Sequence, residues 1–188
     1  LITIYMKKEK TEDSAINSDF KVIQDLMKNY NDPESFKKVA TSAVSSFKAS
    51  DKLLITSSSS NGKLSTRFQK LLLLHTSAQG IYSELLELNE KGVRPLPNEL
   101  IEMLDFIIDK INHPSSNGQT WRKEVDVSPE FENLLSHILK IDEIAHANAE
   151  QLEHEANIRK PLYSKRILQN LTLDSIVFRN TLRYTVII

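Results

Sequence analysis

Apolar residues recur at the spacing of an α-helix along most of this chain, and this periodicity limits the fold more than any other feature. The clearest case runs from about Leu64 to Leu88, where apolar side chains return every three to four residues. Residues 71–74 are four consecutive leucines, so this segment is apolar on more than one face. We expect it to be the central helix or one that also contacts a partner. Strictly alternating, strand-like runs do not compete with this pattern, which therefore predicts an all-helical bundle.

Loop-forming residues separate this helix from its neighbours. We predict a first helix over residues 18–30 and a second that begins at Asp32 and Pro33, because aspartate caps helix starts and proline fits the first turn. The second helix ends in SSSSNG at residues 57–62, a sequence that favours turns. A proline opens the fourth predicted helix, which covers residues 97–111.

The fifth helix should begin at Ser128, because serine is a good cap and a proline follows it directly. Its apolar stripe continues to Ala156, and Pro161 stops it. The predicted fold class is therefore all-α, a helical bundle of about five main helices with terminal membrane-proximal segments.

The fifth helix also holds the best candidate for chemistry. Asp142, His146, Glu150 and His154 follow one another at four-residue spacing, which places them on one helix face. Carboxylate and imidazole groups can bind zinc or iron, and Glu143 with His146 forms the Glu-x-x-His pair of di-iron bundles. A di-iron site needs a second such pair, which the chain lacks. We interpret the face as a solvated flank of the apolar stripe, with metal binding as the alternative.

Two single residues also have alternative interpretations. His75 lies among leucines, where it could be a buried proton-handling group; we favour a core histidine with a hydrogen-bonded partner. Trp121 precedes Arg122 and Lys123 and could mark an interface or a contact with a bilayer surface. We favour an aromatic side chain that pins a long loop to the bundle.

Composition excludes several classes of function. The chain has no cysteine, which removes disulfide scaffolds, thiolate zinc sites and cysteine nucleophiles. Its four glycines are too far apart to build a phosphate-binding loop. A net charge of −1 and an aromatic content of 7% argue against nucleic-acid binding. Because no catalytic motif occurs either, we expect no enzymatic reaction, no cofactor and no nucleic-acid partner.

Both ends of the chain combine apolar residues with basic ones. Residues 1–10 read LITIYMKKEK, and residues 159–183 hold six basic residues against one acid before the apolar sequence YTVII. This pattern is typical of helices that leave and re-enter a membrane on its cytoplasmic side. The membrane-proximal basic residues are Lys7, Lys8, Lys10, Lys165, Arg166, Arg179 and Arg183.

Neither terminal run has the roughly 20 apolar residues that span a bilayer. Because the first residue is Leu1 rather than methionine, we expect the chain to be an excerpt in which both runs are parts of longer membrane helices. The alternatives are a frayed terminus at the start and, at the end, a segment that packs on the bundle.

The sequence LTLDSIVFRNTLRYTVII, residues 171–188, resembles the start of the second membrane block in the FUSC family of bacterial inner-membrane proteins, which is named for fusaric acid resistance and includes a YccS-like branch. Members often read Phe-Arg-His-Ala-Leu-Arg at this point. The residues that match this motif are Phe178, Arg179, Leu182 and Arg183, whereas Asn180 and Thr181 depart from it.

The resemblance implies a layout for the chain. Residues 1–10 would end one membrane helix, residues 11–170 would form a cytoplasmic helical domain, and residues 171–188 would start the next membrane block. It also implies a parent of transport or efflux type that handles aromatic or other organic acids. No catalytic residue carries over, so we expect the domain to support, assemble or regulate the membrane part.

Two further expectations concern partners. The four consecutive leucines predict self-association, because an exposed apolar strip would otherwise be costly. The alternative to a membrane-protein domain is a freestanding soluble helical protein that binds a partner or a metal through the fifth helix.

Overall fold

The computed structural model describes residues 2–58, 65–113, 121, 125–148 and 151, with side chains described from residue 12 onward except at 55–58. Contacts divide the chain into two compact units, Leu1–Ala147 and Asn148–Ile188. Helices make up the first unit, and no strand occurs among the described residues. The prediction of an all-α helical bundle is confirmed.

Five α-helices lie within the described part of the chain. They are α1 (Ile2–Asn29), α2 (Pro33–Ser58), α3 (Thr66–Glu90), α4 (Asn98–Asn112) and α5 (Glu132–His146). A 3-10 turn, Pro129–Phe131, leads into α5. The bounds of α2, α3 and α4 agree with the prediction to within about two residues, because each has a proline, glycine or serine signal at an end.

Local capping explains two of these boundaries. The Asp32 carboxylate accepts hydrogen bonds from the Glu34 backbone N–H (3.3 Å) and the Ser35 hydroxyl (2.5 Å), which starts α2 directly after α1. At the end of α3, Gly92 adopts φ 70°, and the backbone N–H of Val93 donates to Leu88 O at 3.0 Å. This is a Schellman motif, which requires the left-handed backbone that glycine adopts without strain.

Helices α1 and α3 form the centre of the bundle. Helix α2 packs on both of them. Helix α4 packs on α1 and α5 packs on α3, and these two outer helices also contact each other. Ser18 Oγ lies 3.0 Å from Ser46 Oγ, and Ser50 Oγ lies 3.3 Å from Ala15 O, so α1 and α2 run antiparallel. The largest fully buried side chains include Phe20, Tyr30, Phe36, Ile81, Leu100 and Leu104.

Two predicted boundaries are wrong. Helix α1 begins at Ile2 rather than Ser18, because lysine and glutamate favour a helix and because Ala15 and Ile16 extend the buried face of Phe20 and Ile23 toward the N-terminus. Helix α5 ends at His146 rather than continuing to Ala156, since Ala147 has an extended backbone with ψ 140°.

A capping box accounts for the early end of α5. The Asn148 backbone N–H donates to Gln151 Oε1, and the Gln151 backbone N–H donates to Asn148 Oδ1, both at 2.9 Å. This reciprocal pair marks the start of a helix, and the capping residue itself has a non-helical backbone. The Asn-x-x-Gln spacing is visible in the sequence and could have predicted the break.

Candidate functional site: a buried histidine between two carboxylates

His75 occupies the most unusual chemical environment among the described residues. The side chain is 1% exposed on the central helix α3, and each ring nitrogen faces a carboxylate. Nδ1 lies 2.6 Å from Asp19 Oδ2 of α1, and Nε2 lies 2.8 Å from Asp51 Oδ1 of α2. The three side chains, which we call the His75 cluster, therefore join three helices at one point.

Neighbouring polar groups complete the hydrogen bonds of this cluster. The hydroxyl of Ser50, which is buried on α2, donates to Asp19 Oδ1 at 2.8 Å. The side-chain amide of Gln79, one turn along α3, donates to Asp51 Oδ2 at 3.5 Å. Asp19 is 0% exposed, whereas the Asp51 side chain is 34% exposed. The cluster therefore reaches from the core to the surface and has its solvent-facing end at Asp51.

The electrostatics favour a doubly protonated imidazole ring. Burial alone would lower the pKa of His75, but hydrogen bonds to Asp19 and Asp51 and the charges of both carboxylates outweigh it. The pKa of His75 is raised from 6.5 to about 9 as a result. For Asp19, burial raises the pKa, and the hydrogen bonds from His75 and Ser50 offset only part of that rise.

Aromatic rings close one side of the cluster. The Phe47 ring centroid lies 6.1 Å from that of His75 in an edge-on arrangement and 5.5 Å from that of Tyr82. The Tyr82 hydroxyl in turn donates to Ala40 O across the α2–α3 contact. These contacts exclude water from one face of the imidazole and strengthen its pairing with the carboxylates.

This geometry suits a structural role better than catalysis. A general base needs a ring nitrogen that can reach a substrate proton, and carboxylates occupy both nitrogens of His75. No group of three or more acidic or histidine side chains in the described residues is arranged to hold a metal ion. The cluster can store one proton and hold α1 and α2 against α3. The prediction of a core histidine with a hydrogen-bonded partner agrees with this geometry.

The sequence contained a signal for part of this site. Asp19 lies four residues after Ala15 and four before Ile23, so it interrupts the buried stripe of α1 with a charge. A charge in such a stripe needs a buried partner. We identified only the histidine, because Asp51 stands beside Lys52 and resembles an ordinary solvated acid.

The predicted acidic and histidine face on the fifth helix is only partly present. Asp142 and His146 lie together, with His146 Nδ1 at 3.2 Å from Asp142 Oδ1, and the side chain of Glu143 contacts Lys140. Glu150 and His154 lie outside the described residues. Because α5 ends at His146, the four residues do not share one continuous helix, and the prediction of a single face is wrong.

Two further predicted contacts can be located. The Trp121 ring packs against Phe106 of α4, with ring centroids 5.6 Å apart, as expected for an aromatic residue that pins a loop. In the leucine run, Leu71, Leu73 and Leu74 are buried within the bundle. Leu72 is half-buried, so these four leucines do not form the exposed apolar strip from which self-association is predicted, and self-association stays a prediction without that support.

The membrane-proximal residues stay predictions. Helix α1 contains Lys7, Lys8 and Lys10, but the structure describes only their backbone. Outside the described residues altogether are Lys165, Arg166, Arg179 and Arg183. Among the helices that the structure describes, none combines the length and the apolar character needed to cross a bilayer.

Comparisons of the chain with models of known families, with curated proteins and with solved structures found no match.

Proposed function

We propose that this chain is the helical cytoplasmic domain of a FUSC-like bacterial inner-membrane protein of transport or efflux type. In this proposal the bundle supports, assembles or regulates the membrane part. The observation that carries the proposal is the similarity of residues 171–188 to the start of the second membrane block of that family. The matching residues are Phe178, Arg179, Leu182 and Arg183.

The charge pattern on both sides of the bundle supports the same proposal. Lys7, Lys8 and Lys10 follow an apolar run, whereas Lys165 and Arg166 come before one. Basic residues next to membrane helices are enriched on the cytoplasmic side. Both patterns are therefore compatible with a bundle that lies between two membrane blocks.

The His75 cluster supports a scaffolding role for the bundle. Its imidazole joins Asp19 of α1 to Asp51 of α2, and both ring nitrogens are used in doing so. Such a cluster holds three helices in one relative orientation, which is what a support or assembly domain requires. No reaction is assigned to it.

Site-directed labelling can test the location of the bundle, because the 188 residues contain no cysteine. Leu139 on α5 is 48% exposed, so Leu139→Cys provides a reactive thiol, whereas fully buried Ile138 provides the matched control Ile138→Cys. Each variant is expressed in bacteria from the complete gene, with any cysteine elsewhere replaced by serine. A membrane-impermeant maleimide is then applied to spheroplasts and to inside-out membrane vesicles.

We expect the gene product to be recovered in the membrane fraction and to stay there after extraction with alkaline carbonate. Leu139→Cys should be labelled only in inside-out vesicles. Ile138→Cys should react only after denaturation. Labelling in intact spheroplasts would place the bundle on the opposite side and refute the proposal. Recovery in the soluble fraction would refute it too, and would favour the freestanding soluble protein, whose Zn²⁺ affinity should then be compared with that of His146→Gln.

A further inference from the structure

Charge is distributed unevenly among the helices of the bundle. Helix α2 carries four lysines and only two acids, Glu34 and Asp51, and the Asp51 carboxylate points toward His75. On the other four described helices, lysine and arginine equal aspartate and glutamate or are outnumbered by them. Helix α4 has the largest excess of acid, with four carboxylates and one basic residue, Lys110. Helix α2 is therefore the one described helix with a net positive charge.

The lysines of α2 share one outward face. Lys37, Lys38, Lys48 and Lys52 are all exposed, and at 100° per residue they fall within an arc of roughly 100°. Exposed Thr41 and Ser45 lie between them, and exposed Glu34 falls within the same arc, so the face carries four lysines and one carboxylate. With a rise of 1.5 Å per residue, the row extends for about 22 Å. We call these four lysines the basic stripe.

Packing fixes the direction of the basic stripe. The opposite face of α2 is buried in the bundle through Phe36, Ala43, Phe47 and Leu54. In addition, Asp51 is held 2.8 Å from His75 Nε2, so rotation of α2 would break an ion pair. The stripe is consequently a permanent feature of the surface.

Most lysines elsewhere in the bundle have a carboxylate partner. Examples are Lys28 with Asp105 at 2.9 Å and Lys91 with Glu87 at 2.6 Å. By contrast, Lys37, Lys38 and Lys48 have no carboxylate of the described residues within 4.0 Å. Within the described part of the chain, nothing therefore neutralises these three charges, and an external anion can reach them.

We propose that the basic stripe rests on an anionic lipid surface. The inference depends on the proposed function, which supplies the cytoplasmic leaflet next to the bundle, and it requires the antiparallel helices α1 and α2 to lie along that leaflet. A row of flexible lysines fits a flat array of anionic headgroups, because an ammonium group acts as a point charge without directional demands. The stripe contains no arginine and no aromatic residue, the groups that nucleic-acid surfaces use for stacking and bidentate contacts. The acidic helix α4 packs on α1 and α5, away from this face.

Vesicle binding by the 188-residue chain tests the inference. The stripe variant carries Lys37→Gln, Lys38→Gln and Lys48→Gln. The control variant removes the same charge at the exposed or half-exposed Lys21, Lys28 and Lys91. Co-sedimentation is measured with vesicles of phosphatidylcholine alone and with vesicles containing about one-third phosphatidylglycerol, while circular dichroism checks that each variant is folded.

We expect the wild type and the control variant to bind the anionic vesicles with an affinity that falls as salt is added. The stripe variant should bind them about 10- to 100-fold more weakly, since each of the three lysines contributes a factor of about five at most near an anionic surface. On neutral vesicles all three chains should behave alike.

Three results would overturn the inference. Equal loss in both variants would mean that only net charge matters, and undiminished binding of the stripe variant would assign binding to another segment. Loss of a salt-sensitive self-association in light scattering, without any change on vesicles, would identify a second copy of the chain as the occupant. If any of these results is obtained while Leu139→Cys is labelled only from the cytoplasmic side, the lipid contact is refuted but the proposed function is not.

Discussion

The two sides of the central helix α3 are held to their neighbours by different physical means. Toward α1 and α2 the contact contains a buried imidazole between Asp19 and Asp51. Toward α5 the contact is a close approach of helices, in which a Cβ added to Gly80 would lie 2.8 Å from His137 Nδ1. The first contact depends on charge and on the angle of hydrogen bonds, and the second depends on volume.

The comparison shows what each kind of contact contributes. A buried ion pair contributes little net stability, because the desolvation of its charges offsets their attraction, but the loss of one partner is very costly. Close apolar packing stabilises in proportion to the surface that it buries. We therefore expect the α2 side to fix the relative orientation of helices and to respond to pH through His75. On the α5 side, where the Lys70 ammonium also donates to Ala145 O, we expect a loss of volume to cost more than a change of pH.

The largest expected effect is that of removing the imidazole. His75→Ala should lower the free energy of unfolding by about 3–5 kcal/mol, because it leaves the fully buried carboxylate of Asp19 without its cationic partner. Urea unfolding at pH 6, followed by circular dichroism, measures this difference.

A double variant separates charge from packing at this position. In His75→Leu combined with Asp19→Leu the buried charges are gone, so most of the lost stability should return. If the double variant were as unstable as His75→Ala, the cost would lie in shape rather than in an uncompensated charge.

The α5 side should lose a comparable amount by a different mechanism. Ile138 is fully buried on α5, and Ile138→Ala should cost about 3–4 kcal/mol through lost burial and a residual cavity. The loss should be equal at pH 6 and pH 9.5, since no titratable group is removed. A loss that changed by more than about 1 kcal/mol between these pH values would contradict the comparison.

The pH dependence of the wild type gives the next effect in size. The pKa of His75 is higher in the folded chain, at about 9, than the ordinary value of 6.5. The proton therefore stabilises the fold fully below pH 6.5, and this contribution is lost as the pH rises to about 9. We expect the free energy of unfolding to fall by up to about 3 kcal/mol over this range.

His75→Gln provides the reference for that measurement. It should remove the decline between pH 6.5 and 9, whereas His113→Gln should leave it unchanged, because His113 and its partner Asp109 are both largely exposed. NMR of the imidazole nitrogens in the wild type gives the protonation state directly. A His75 ring that is neutral at pH 7.5 would rule out this assignment.

Sequence reasoning succeeded where a local signal determines the structure. Pro33 and Pro97 restrict the backbone themselves, and Gly92 permits the left-handed conformation that ends α3, so the boundaries near them are predictable without knowledge of the tertiary fold. The start of α1 is not evident from the sequence because residues 7–14 are all charged or polar, so the buried pair Ala15 and Ile16 does not stand out as part of an apolar stripe.

The remaining features depend on partners that are distant in sequence. The partners of His75 lie 56 and 24 residues away in the chain, and only the packing of α1 and α2 brings them together. Asp51 alone looks like a solvated residue, so its pairing could not be predicted from its neighbours. The contact between Gly80 and His137 depends in the same way on how closely α5 approaches α3.

The smallest predicted effect on the free energy of unfolding is that of Gly80→Ala, and it should change sign when His137 is replaced. Gly80→Ala gains helix propensity, which stabilises by roughly 1 kcal/mol, but the new methyl group must displace the half-buried imidazole of His137. We expect a net loss of about 1 kcal/mol in the wild type and a gain of up to about 1 kcal/mol when His137 is replaced by alanine. Urea unfolding of the four chains in this double-mutant cycle should give a coupling energy of about 1–2 kcal/mol. If Gly80→Ala had the same effect in both backgrounds, His137 would not limit how closely α5 approaches α3. The α5 side of α3 would then not depend on volume at this contact, and the contrast with the charge-dependent α2 side would fail.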